Sequence, residues 1–129
     1  MAAAVHTSLQ GRNIVVLNVR GIYSAADETD TNILDISTLA GPNVEGPPSK
    51  LRIDEIWWAI NGFSYVLLEF DRTTDYTIDY YQGQGFIDYR PGGGKVDKGT
   101  GNTGDLFLTT AGGAANATYS LQIFIRLKQ

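Results

Sequence analysis

Along residues 118–128 the apolar side chains fall on every second position. Tyr119, Leu121, Ile123, Ile125 and Leu127 alternate with Ser120, Gln122, Phe124, Arg126 and Lys128. A period of two puts the first set on one face of a β-strand and leaves the second mostly in water. Enrichment in β-branched and aromatic residues predicts further strands over residues 12–24, 31–40, 50–61, 63–71, 76–82, 86–90 and 105–111. Turn signals separate them: the acidic AADETD at 25–30, GPNVEGPPS at 41–49, DRTTD at 71–75, GQG at 83–85 and GGAANA at 112–117.

Two segments are less regular. In 50–61, Leu51, Ile53, Trp57 and Ala59 share one parity, and Ile56, Trp58 and Ile60 the other. Both faces are therefore expected to be apolar, as in a covered sheet or a subunit interface. Asn61-Gly62 then predicts a tight hairpin leading into 63–71, because both residues accept positive φ. In 76–82, alternation puts Tyr76, Ile78 and Tyr80 on one face.

Seven or eight short strands with no persuasive helix predict one all-β domain over residues 12–129. The expected architecture is a single antiparallel β-sandwich, jelly-roll-like or immunoglobulin-like. The opening MAAAVHTSLQ has no period, so residues 1–11 are expected to be an N-terminal arm.

Composition narrows the chemistry. A chain of 129 residues buries an adequate core without staples. It has no cysteine and a single histidine, His6. Thiolate chemistry, a Ser-His-Asp set and a zinc site therefore lack their residues. The net charge is −4 and the Lys and Arg are scattered, which argues against a nucleic-acid partner. No run of about 18 apolar residues predicts a membrane span, and MAAAV lacks the basic region of a signal peptide.

GTGNTG at 99–104 matches the dinucleotide pattern GxGxxG. That motif works only where a helix opens at its end and presents its N-terminus to the pyrophosphate. The DLFLTT that follows reads as a strand, so a phosphate loop is not expected. Lys95 precedes Val96 and lacks the Ser or Thr of a P-loop. The segment 91–104 is instead expected to be a long surface loop that orders against a neighbour. Asp71, Asp75, Asp79 and Asp88 lie at turns, where aspartate caps the backbone more often than it pairs for glycoside hydrolysis. Asp27, Glu28, Asp30 and Asp35 lack calcium-loop spacing. No catalytic, metal or cofactor residue is expected. The adjacent Trp57 and Trp58 must point to opposite faces, one filling the core and the other left for a partner.

Three stretches carry a resemblance: IWWAINGFSYVLLEFDRTTD, GQGFIDYRPGGG and TGDLFLTTAGGAANATYSLQIFIRLK. Together they resemble small virion structural proteins of tailed bacteriophages, over residues 51–128. The resemblance implies a non-enzymatic particle component without cofactors. A head decoration (cement) protein on the capsid exterior is the first expectation, and a neck or tail component is its nearest rival. The implied partners are the major capsid protein and further copies of the chain, as a homo-oligomer with a trimer favoured. Residues expected at such contacts are Val5, His6 and Leu9 of the arm, then Trp58, Tyr81, Tyr89 and Arg90, then Lys95 and Lys98 of the glycine-rich loop. A carbohydrate-binding module using an exposed tryptophan is the alternative from another class.

Overall fold

The computed structural model describes residues 4–10, 14–23, 27–34, 50–71, 76–96 and 105–128. They contain ten strands: β1 (Ala4–Gln10), β2 (Ile14–Ile22), β3 (Thr31–Leu34), β4 (Lys50–Asn61), β5 (Tyr65–Phe70), β6 (Tyr76–Tyr81), β7 (Gln84–Asp88), β8 (Lys95–Val96), β9 (Leu106–Ala111) and β10 (Thr118–Lys128). A 3-10 turn, Arg90–Gly92, separates β7 from β8. Among the described residues there is no α-helix.

The strands make two antiparallel sheets. One runs β1-β2-β10-β4-β7, with β8 continuing beside β4; the other runs β3-β9-β5-β6. The pairs are nested: β2 with β10, β3 with β9, β4 with β7, and β5 with β6. A long hairpin rolled up in this way is the jelly-roll order, which decides between the two sandwiches expected from the sequence.

Alternation explains the core. Val15, Leu17 and Val19 of β2 and Leu121, Ile123 and Ile125 of β10 are almost fully buried. They face Val66, Leu68 and Phe70 of β5 and Leu106 and Leu108 of β9, all at 0 % exposure. Each such side chain contributes about 1.5–3 kcal/mol by leaving water.

Three expectations are corrected. First, Asn61-Gly62 does not close a hairpin. β4 pairs with β10 and β7, whereas β5 pairs with β6 and β9. The turn is an arch from one sheet to the other, with Gly62 at φ 85°. Burial of both apolar faces against each other outweighs the local hairpin preference. Second, β4 is not apolar on both faces. Its register against β10 skips Asp54, so Asp54 is the extra residue of a bulge. Leu51 and Ile53 before it, and Ile56 and Ile60 after it, all point into one core. Trp57 is left outside. Third, the register of β6 skips Ile78. Ile78 and Tyr81 are buried while Tyr76 and Tyr80 are exposed.

Residues 4–10, read from sequence as part of an arm, form β1 and pair continuously with β2 from Ala4 opposite Arg20 to Gln10 opposite Ile14.

Candidate functional site

The outward face of the larger sheet can be built row by row from its register. One row crosses four strands as Phe86, Trp57, Gln122 and Asn18. The next crosses as Gln84, Ala59, Ser120 and Arg20. Trp57 and Phe86 are 49 % and 44 % exposed, and their rings stack at 4.2 Å between centroids with a 36° tilt. They form an aromatic ridge. Beside it, Ala59 and Ser120 are small and leave a trough. The trough is lined by neutral side chains apart from Arg20 at its far margin.

On the other side of the ridge the charges neutralise one another. Glu55 stands opposite Asp88. Arg90 spans both acids, at 2.9 Å from Asp88 Oδ1 and 2.8 Å from Glu55 Oε1. Its guanidinium and backbone N–H hold the Asp88 carboxyl below its ordinary range. At the bulge, Arg52 Nε donates to Asp54 Oδ1 at 2.6 Å, and Arg126 Nε lies 3.9 Å from Asp54 Oδ2. Three arginines and three carboxylates thus close on themselves.

The sequence-predicted residues separate into four groups. Val5, His6 and Leu9 are on the edge strand β1, opposite Val19, Asn18 and Val15. Trp58 was expected to face a partner, but it packs inward against Tyr81 at 4.9 Å and donates its indole N–H to the Gln82 carbonyl at 2.8 Å. The exposed tryptophan is its neighbour, because the bulge at Asp54 reset the alternation. Tyr81 is likewise a core residue at 2 % exposure. Tyr89, Arg90 and Lys95 gather at the β7–β8 edge. Tyr89 donates to Asp79 Oδ2 at 2.9 Å, its hydroxyl is 2.9 Å from that of Tyr81, and Lys95 Nζ sits 5.2 Å from its ring centre. Lys98 and GTGNTG lie outside the described residues; the described residues that follow form the strand β9 and not a helix.

Sequence reasoning weighed Trp57 and Trp58 together but placed Trp58 at the contact, and it did not single out Gln122, Asn18 or Ser120. The available signal was the apolar step from Ile53 to Ile56, three residues where a regular strand has two.

The acidic segment 27–30 is tied to the sandwich. Asp27 Oδ1 accepts from Thr110 Oγ1 and from the Gly113 N–H, each at 3.1 Å, and the Asp30 N–H donates to Thr109 Oγ1 at 2.9 Å. Tyr119 donates its hydroxyl to Glu28 Oε2. Among the described residues no group of three acidic or histidine side chains is arranged to hold a metal ion.

Three tyrosines resist ionisation. Burial raises Tyr81, whose hydroxyl bonds Tyr89; burial and the Glu28 carboxylate raise Tyr119. Burial, with Asp79 alongside, pushes Tyr89 up from its ordinary 10 to about 12. A folded-state value above the unfolded one gives stability that is complete below the unfolded value and is lost as pH rises past it. Urea midpoints should therefore hold up to pH 10 and fall between pH 10 and 12. Replacing Tyr89 and Tyr119 by Phe should flatten that fall; an unchanged slope would show that the phenols do not set it.

Comparison with known proteins adds no relative: no family model matches the chain, and no curated protein or solved structure matches it at the significance required.

Proposed function

We propose that this chain is a structural component of a tailed-phage particle, a capsid decoration protein that binds the major capsid protein as a homo-oligomer. The stretches carrying the resemblance coincide with β4, β5, β9 and β10, inner strands of the two sheets, and with the edge strand β7. They support a shared scaffold. The single observation that carries the contact is the edge strand β1.

Exposed edges invite strand addition, and proteins blunt them with bulges, short strands, proline or charge. Three of the four sandwich edges are blunted. β3 has four residues and a register shift, β6 is bulged, and β7 gives way to a turn containing Pro91. β1 runs for seven residues in unbroken register, and AVHTSLQ contains no Pro, Gly, Lys or acidic residue. A capsid strand adding to it would gain main-chain hydrogen bonds, and many copies per shell would multiply a weak contact.

Val5 is 40 % exposed and stands opposite the buried Val19. A lysine there keeps its ammonium in water along a flexible stem, yet places charge beside any added strand. Wild-type protein should co-sediment with shells of the major capsid protein of the phage that encodes it. Val5→Lys, folded by circular dichroism, should remain in the supernatant. Co-sedimentation of Val5→Lys at the wild-type level would remove β1 from the contact; failure of the wild type to bind would overturn the decoration role.

A further inference from the structure

We infer that the trough on the outward face of the larger sheet is a binding site for a neutral saccharide. Three open hollows of about 520, 440 and 320 Å³ adjoin there, and all three are lined by Ala59. They run across the strands between the ridge of Trp57 and Phe86 and the margin at Arg20 and Ile22. Four strands at about 4.8 Å spacing make the trough about 14 Å long, the length of a short oligosaccharide. Its floor is low because Ala59 and Ser120 carry small side chains.

The lining matches the ligand's chemistry. Ligand sites combine aromatic surface with a few convergent polar groups. A pyranose presents a face of weakly positive C–H groups, which packs on the negative face of an aromatic ring. Trp57 offers that face half exposed, and Phe86 props it from behind. Around the rim of a pyranose, hydroxyl groups both donate and accept. Asn18, Gln84 and Gln122 supply amides that do the same, and Ser120 adds a hydroxyl. None of these four side chains enters a hydrogen bond among the described residues, so their capacity is open to a ligand.

Charge favours this ligand over the two others such a face could take. An anionic ligand would meet one cation, Arg20, since Arg52, Arg90 and Arg126 are engaged with carboxylates on the far side of the ridge. A protein partner would be met by a flat apolar centre with polar groups at the rim. Here the amides and the serine are interleaved with the aromatics in the centre.

The site goes beyond the decoration role and uses a surface other than the outer edge of β1, so the two fail separately. The test is a titration of the intact protein, isotopically labelled, with neutral oligosaccharides: α- and β-linked gluco-, galacto- and chito-oligomers. At least one series should shift the Trp57 indole N–H and the Asn18 and Gln122 side-chain amides saturably. Trp57→Ala should weaken that binding by about tenfold or more, as loss of a central aromatic does, and Gln122→Ala should weaken it less. Trp57 is exposed, so its variant is expected to stay folded, and it should still co-sediment with capsid shells. Val5→Lys should still bind the sugar. Silence from every series, or shifts that persist unchanged in Trp57→Ala, would overturn the site. Loss of capsid binding in Trp57→Ala without any saccharide response would overturn it too, and would assign the face to protein.

Discussion

Tyr81→Ala is expected to remove a large part of the protein's stability. Tyr81 is among the largest fully buried side chains, lying between Trp58 and the inner faces of both sheets. Truncating a buried aromatic costs about 3–5 kcal/mol, through lost transfer energy and the cavity left behind. A domain of this size is stable by about 5–15 kcal/mol in total. The hydroxyl matters much less than the ring. In Tyr81→Phe, Tyr89 keeps its bond to Asp79, so the loss is that of one hydrogen bond, about 1 kcal/mol. Urea unfolding followed by tryptophan fluorescence separates the two, because Trp58 reports on this contact. A Tyr81→Ala variant with a wild-type midpoint would mean that the residue is not in the core. That outcome would restore Tyr81 as a candidate contact residue.

The second large effect is expected at Gly112. Its φ of 67° lies in the left-handed region, and a Cβ placed there would fall 2.0 Å from Ser64 Oγ and 2.8 Å from Ser64 Cβ. Ser64 is itself fixed by its N–H bond to the Ala111 carbonyl at 2.8 Å. Gly112→Val combines left-handed strain of about 1–2 kcal/mol with overpacking of about 1–3 kcal/mol. The expected loss is therefore about 2–5 kcal/mol, read as a lowered midpoint at unchanged slope. Gly92 is the control: nothing lies near its Cβ position and its φ is not positive, so Gly92→Ala should leave stability nearly unchanged. Equal midpoints for the two variants would contradict this account.

The physical reason for TTAGG in the closing stretch follows. Thr109 and Thr110 hold segment 27–30, while Gly112 and Gly113 admit Ser64 and Tyr23. The resemblance in this stretch rests on residues that build a corner of the sandwich.

Much of the fold could be read directly. β10 was plain because burial follows its alternation from Tyr119 to Ile125 without a break. The all-β class followed from eight such segments. What escaped was parity and sheet membership. A bulge adds one residue and leaves a three-residue apolar step: Ile53 to Ile56 at Asp54, and Ile78 to Tyr81 just past Ile78. Read with a strict period of two, each step exchanged an outward residue for an inward one, so Trp58 was named in place of Trp57, and Tyr81 in place of Tyr80. Sheet membership was hidden at Asn61-Gly62 because the dipeptide specifies positive φ and says nothing about which strand lies alongside. The trough was out of reach for another reason. Its residues come from β2, β4, β7 and β10, and only the register makes Asn18 a neighbour of Gln122.

β10 lies between β2 and β4 in the larger sheet. Until β10 has been synthesised, those two strands have no shared neighbour, and neither the core nor the trough can close. Pairings this distant along the chain are slow to form, because loop closure must precede any gain from contact. The growing chain should therefore keep its apolar faces apart until β10 has emerged, and this protein should depend on chaperones during synthesis more than a helical domain of equal length does. Pulse-labelled chains should reach protease resistance only after β10 is complete.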